Sequence, residues 1–281
     1  MTVLITGSRG RVARTLTALL HTAGHAVRAG SRSPESLDPP GGVAAVPLGL
    51  DEPAGFAAAL DGVRSVFLYA EASRTAEFVA AAETAGVQHI VLLSSSSVLA
   101  PDAVQDPLAA HHVAVEETLA ASSIATTVLR PGTFASNALQ WAWPIKATGA
   151  VRLPYPGTHT DPVHEADLAE AAFAALTEPD VRGGTYHLTG PASVTFTAQI
   201  TTLAQVTGLD IRAVAVAPEE WKAETAEYMP EAFADALLAY WKSHDDSPVA
   251  LTDTLERLIG HPPRTFEEWA ADHSAAFTRQ T

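Results

Sequence analysis

Near the start of the chain, Gly7-Ser8-Arg9-Gly10-Arg11-Val12-Ala13 has the residue types and spacing to hold a phosphate anion. The segment follows a short apolar run, Val3-Leu4-Ile5, and runs into Val12, Leu16, Leu19 and Leu20, which recur at helical spacing. Gly7 and Gly10 permit a tight turn and let the backbone approach a pyrophosphate. Small Ala13 lets the helix pack closely on the strand. The start of the helix adds free N–H groups and a partial positive charge. Glycine also serves turn geometry alone, but a Gly-rich turn between a first strand and a first helix is the context a dinucleotide requires.

The adenosine end of such a ligand would lie after the second strand. There the chain reads Gly30-Ser31-Arg32-Ser33, with no acid until Glu35. An acid at this place would hold a ribose 2′-OH, whereas a guanidinium beside serine hydroxyls suits a 2′-phosphate. Arg32 with Ser31, approached by Arg9 from the first loop, therefore favours NADP(H) over NAD(H). Asp51 would accept from the adenine amino group, or alternatively cap the helix around Phe56 to Leu60. Leu68 and Ala70 flank Tyr69 along the expected cofactor path, and Ser94 ends the fifth strand beside it.

These residues need a scaffold, and the pattern supplies one. Apolar runs at Ala26–Ala29, Val43–Leu48, Ser65–Tyr69, His89–Leu93 and Thr126–Leu129 alternate with helical segments at Thr75–Ala85 and Leu108–Ala121. Strands separated by helices predict right-handed crossovers and a doubly wound parallel α/β sheet of Rossmann type. Residues 1–135 form the expected nucleotide domain, with a return segment near 160–190. Residues 136–281 form a smaller mixed α/β lobe that completes a cleft, with strands at Thr185–Leu188 and Ile211–Val216, a helix at Ala198–Thr207 and short helices beyond Glu219. Of 281 residues, 17 are Lys or Arg and 32 are Asp or Glu, a net charge of −15. That balance argues against nucleic-acid phosphates or an anionic membrane as partners. The sequence has no Cys, no stretch of the roughly 20 apolar residues that spans a bilayer, and no signal-peptide pattern at its start. It reads as a soluble, cytoplasmic protein.

The chain resembles the NmrA-like group of atypical short-chain dehydrogenases. The resemblance is carried by Leu4 to Ala13, by Arg32, by Val91-Leu92-Leu93-Ser94-Ser95, and by Val115-Glu116-Glu117-Thr118-Leu119 with Ile124 to Gly132. Asp161-Pro162-Val163, Asp167-Leu168-Ala169 and Arg264 to Trp269 extend it across nearly the whole chain. It implies a Rossmann fold and NADP(H), with either of two outcomes. Some members reduce quinones and related compounds, and others bind the nucleotide as redox sensors.

Ordinary short-chain dehydrogenases carry a Tyr-x-x-x-Lys pair that delivers a proton. The matching helix here reads His111-His112-Val113-Ala114-Val115-Glu116, without that pair. His112 stands at the family's Lys position and, titrating near neutrality, would serve as ribose partner or proton donor. Ser96 is the best match to the dehydrogenase Ser, and Tyr69 would reach cofactor or substrate. Each has a plainer role as packing or loop residue. Asn137, Trp141, Trp143, Tyr155 and His159 are expected to face the cleft and suit a flat apolar or aromatic ligand. His164 and Asp167 belong to a turn and helix cap. No His-Glu-x-x-His or Gly-x-Ser-x-Gly motif points to a metal or to serine hydrolysis. The first expectation is an NADPH-dependent reductase of a small quinone, enone or carbonyl compound. The alternatives are a non-catalytic NADP(H) sensor or a redox-neutral auxiliary enzyme of secondary metabolism. A homodimer is left open.

Overall fold

The structure, a computed structural model, describes residues 1–278. Strand and helix alternate through β1 (Thr2–Ile5), α1 (Arg11–Thr22), β2 (Ala26–Ser31), β3 (Ala44–Pro47), α2 (Phe56–Leu60), β4 (Ser65–Tyr69), α3 (Thr75–Thr84), β5 (His89–Leu93), α4 (Ala110–Ala120) and β6 (Ala125–Pro131). The chain continues with α5 (Ala142–Thr148), β7 (Ala150–Leu153), β8 (His159–Thr160), α6 (Glu165–Thr177), β9 (Thr185–Leu188), β10 (Val194–Thr195) and α7 (Phe196–Thr207). It ends with β11 (Arg212–Ala215), α8 (Pro218–Thr225), α9 (Glu231–Ser243), α10 (Thr254–Ile259) and α11 (Phe266–Asp272).

Seven strands form one parallel sheet in the order β3-β2-β1-β4-β5-β6-β9. The order reverses beside β1, where β2 pairs on one edge and β4 on the other, and that reversal opens a crevice at the carboxyl ends of the strands. Alternate residues of β1 serve opposite layers. Val3 and Ile5 pack with Leu16 and Leu20 of α1 and with Leu168 and Ala172 of α6. Leu4 packs on the other face with Phe56, Phe78, Val115 and Leu119. Two covered faces explain why the strands read as unbroken apolar runs.

The strand edges differ from expectation where pairing extends them. β6 continues to Pro131 because Arg130 and Pro131 meet His187 and Leu188 of β9. The helix expected from Leu108 begins at Ala110, after a turn-rich stretch containing Pro107. The strand expected over Ile211–Val216 finds its partner outside the main sheet, in β7, with Arg212 opposite Ala150.

A third core fills the second lobe. Trp141 meets Phe196 edge-on at 5.7 Å, Phe196 meets Trp241 at 5.5 Å, and Trp241 meets Trp221 at 4.9 Å. Trp269 lies fully buried beneath them, its indole N–H donating to the Glu165 carboxylate at 2.9 Å. Buried aromatic pairs in this geometry add about 0.5–1.5 kcal/mol each beyond their burial, which gives the lobe a rigid aromatic wall. No helix of the described residues is long and apolar enough to cross a membrane.

Candidate functional site

The first βα turn has the form an anion requires. Gly7 sits at φ +59°, and a Cβ there would lie 2.7 Å from Cδ1 of Tyr69. The Gly10 N–H donates to the Gly7 carbonyl at 2.8 Å and closes the turn. Helix α1 then begins on Gly10 with no side-chain cap and no acid in its first turn. Its leading N–H groups are left for a ligand. Arg9 and Arg11 are exposed beside it, and Val12 is buried under it. A close approach without Cβ atoms, an uncapped helix start and two nearby guanidinium groups fit a pyrophosphate.

Two serines expected here have other partners. The Ser8 hydroxyl is buried and donates to the Ile5 carbonyl at 2.9 Å, so it shapes the turn. Buried Ser31 accepts the Ser33 N–H at 3.1 Å. At the adenosine end, Arg32 pairs with Asp51 at 3.6 Å across Gly49, with both side chains well exposed. Asp51 therefore faces the guanidinium. Tyr69 ends β4, its N–H donating to the Thr6 hydroxyl at 3.1 Å. Burial, with Glu71 next, pushes its phenol up, while Arg32 pulls the other way. The phenol therefore stays protonated at neutral pH. Leu68 is buried behind it, and Ala70 lines the cleft.

A cleft of about 1280 Å³ opens along the carboxyl ends of β4, β5 and β6 and runs under the second lobe. Tyr69, Ser94, Ser96 and His112 all line it, so the structure gathers these sequence-distant residues. Ser94 is committed to structure: its hydroxyl donates to Glu116 at 2.5 Å. The same carboxylate accepts two bonds from Arg130, at 3.1 and 2.5 Å. This triad ties α4 to β5 and β6 and explains why a Glu stands in that helix. Ser95 caps the short helix Ser96–Leu99 by accepting from the Ser97 N–H. The Ser97 hydroxyl lies 3.2 Å from the Leu108 carbonyl and 3.0 Å from the Ser95 hydroxyl.

His112 departs from expectation. Burial, with His111 next, pushes its pKa down to about 4 against a small opposing pull from Glu116. Its Nδ1 is buried without a hydrogen-bond partner, and its ring lies 3.9 Å from that of His111. The imidazole is neutral at pH 7, so it is no imidazolium acid there.

On the far wall, Asn137 and Trp141 reach the cleft as expected, but Trp143, Tyr155 and His159 do not line it. Trp143 is 76% exposed, because a residue two positions along a helix from Trp141 points about 200° around it. Tyr155 packs against the third core, and His159 bonds Ser193 through Nδ1 at 3.0 Å. His164 does cap α6, its Nδ1 accepting the Ala166 N–H at 3.0 Å. Buried Asp167 accepts from Arg264 at the foot of α11. The sequence reading missed Thr133, Tyr240 and His244, which also line the cleft, and the neighbouring Asp161. No local spacing links these positions. Among the described residues, no group of three or more His, Asp or Glu side chains is placed to hold a metal.

The model of the NAD(P)H-binding family matches residues 7–179. Over 98% of its length the chain is 33% identical to the (4-alkanoyl-5-oxo-2,5-dihydrofuran-3-yl)methyl phosphate reductase of Streptomyces griseus, 99% of which is covered. It is also 33% identical to the NAD(P)H azoreductase of Xenophilus azovorans, over 81% of this chain and 82% of that one. The fold superposes with a TM-score of 0.81 on the NADPH-dependent quinone oxidoreductase of Escherichia coli complexed with NADPH, at 22% identity, covering 97% of this chain and 99% of that one. The glycine cradle, the uncapped helix and these likenesses converge: the chain belongs to the NAD(P)H-binding family.

Proposed function

We propose that the chain is an NADPH-dependent reductase of a small, largely apolar quinone, enone or carbonyl compound. The observation that carries this reading is the cleft itself. It adjoins the glycine cradle through Tyr69, is walled by Trp141, Phe196, Trp221 and Trp241, and has no lysine or arginine among its described lining residues. The charged side chains in the lining are Asp102 and Asp106, with His112 neutral. A flat, uncharged acceptor fits such a surface, and a phosphate ester has no cation to meet it. The relative from Streptomyces griseus is named for a phosphorylated substrate, a group that no cation in the described lining of this cleft would meet.

The nicotinamide supplies the hydride when bound. The chain's own residues orient and shield. Gly7, Gly10 and the start of α1 hold phosphate, Tyr69 offers a protonated hydroxyl at the edge of the cradle, and the aromatic wall excludes water. NADPH oxidation by the purified protein with neutral quinones and enones is the test. No consumption with any acceptor, alongside intact NADPH binding, removes the reductase reading. The neutral His112 and the absent Tyr-x-x-x-Lys pair would then favour a sensor. A sensor requires calorimetry to show different affinities for NADPH and NADP, since equal affinity shifts no population.

The preference for NADPH rests on Arg32. Arg32→Glu is expected to weaken NADPH binding roughly 10- to 100-fold, because it removes a charge-assisted contact and adds a second carboxylate beside Asp51. NADH affinity should change about twofold or less, measured by the same titration. An equal loss for both nucleotides would show that Arg32 does not read the 2′-phosphate.

A further inference from the structure

We propose that the Tyr240 phenol donates the hydrogen bond that holds the acceptor's carbonyl oxygen in the cleft. This rests on the reading of the cleft as an acceptor site. Tyr240 projects from α9 into the cleft beside Leu237 and Trp241. A carbonyl oxygen buried against such an apolar surface without a donor loses its bond to water and gains nothing in return. Three donors nearby are already engaged. The Ser94 hydroxyl serves Glu116, the Ser97 hydroxyl serves Ser95 and Leu108, and the Gln199 amide serves Thr160 and Val194.

The position is also the one a reacting oxygen needs. Thr133, whose side chain hydrogen-bonds the phenol, lies two residues beyond the end of β6, which pairs with β5, and Ser94 directly follows β5. That is the carboxyl edge of the sheet, where ligands of doubly wound folds sit. The ring is flanked by a second one. His244, the residue that follows α9, lies with its ring centroid 4.3 Å away, and its Nδ1 donates to the Tyr240 carbonyl at 2.9 Å. Asp161 is held in turn by the Thr133 N–H at 3.0 Å. Burial first, and the Asp161 charge second, push the phenol up to about 12, while Thr133 works weakly the other way. Tyr240 thus keeps its proton and acts as a donor rather than a base.

The experiment is a binding measurement on the NADP-loaded protein. Wild type and Tyr240→Phe are titrated with 1,4-naphthoquinone and with naphthalene, followed by quenching of the tryptophans around the cleft. Removing one hydroxyl is expected to lower quinone affinity about tenfold. Naphthalene and NADP affinities should stay unchanged. Unchanged quinone affinity, an equal loss for both aromatic ligands, or no quinone binding to wild type would each overturn the assignment. Turnover plays no part in the readout. A protein that binds naphthoquinone through Tyr240 yet oxidises no NADPH would sink the reductase reading and leave this one standing.

Discussion

Gly7→Val should lower NADPH affinity by more than about 100-fold while leaving a folded protein. Two independent obstacles meet at that position. The backbone holds φ +59°, a region that costs an L residue about 1–2 kcal/mol and a β-branched one more. The new Cβ would also press on Cδ1 of Tyr69 at 2.7 Å and on Cε1 at 3.0 Å. The phenol ring sits at the end of β4, so relieving the clash displaces either the ring or the turn. Relaxing either strain opens the turn that the Gly10–Gly7 bond closes. Gly24→Ala separates the two causes. Gly24 has φ +79° with nothing within 4 Å of the added atom, so it carries the backbone penalty without the cradle. Calorimetric titration should find NADPH affinity unchanged in Gly24→Ala, with stability lowered by about 1 kcal/mol. Comparable nucleotide binding in Gly7→Val and wild type would show that the turn does not hold the phosphates.

The sheet was legible because its physics is local. β4, β5 and β9 begin and end where the apolar runs of Ser65–Tyr69, His89–Leu93 and Thr185–Leu188 do. The glycine turn was legible for the same reason, since strand, turn and helix are consecutive. The wall of the cleft was not. Trp141 and Trp143 are chemically alike, and only helical phase decides that one is buried and the other 76% exposed. Tyr240, Thr133 and Asp161 come from three separate segments, and nothing in their spacing announces a contact. His112 shows a third kind of limit. Its residue type suggests titration near neutrality, but the burial that carries it down to about 4 is a property of the packed state. Ser8 and Ser94 illustrate the reverse. Both were expected along the cofactor path, and their hydroxyls hold the turn and the α4–β5–β6 junction in place.

That junction leads to the second large effect. Gly132→Ala should destabilise the protein by about 3 kcal/mol and lower Tm by roughly 6–12 °C. A Cβ on Gly132 would fall 1.9 Å from Oδ2 of Asp161 and 2.4 Å from its Cγ. Neither side can retreat. The Gly132 N–H donates to Leu188 at 2.9 Å, the Thr133 N–H donates to Asp161, and the Val163 N–H donates back to Thr133 at 2.8 Å. Nearby, the Gly190 N–H donates to the Asp161 carbonyl, and a Cβ on Gly190 would meet the Pro162 carbonyl oxygen at 2.1 Å. Three strand ends therefore converge with no room for one more carbon. Asp161→Ala alone should cost about 1–3 kcal/mol, because the Thr133 N–H loses its acceptor. The double variant removes the clashing carboxylate, so its destabilisation should fall well short of the sum of the two single values. Thermal denaturation of the four proteins measures that coupling. Strict additivity would mean that Gly132 is not there to accommodate Asp161. Strong coupling would tie the missing Cβ to the carboxylate that stands behind Tyr240, and so tie the stability of the strand ends to the polar point of an otherwise apolar cleft.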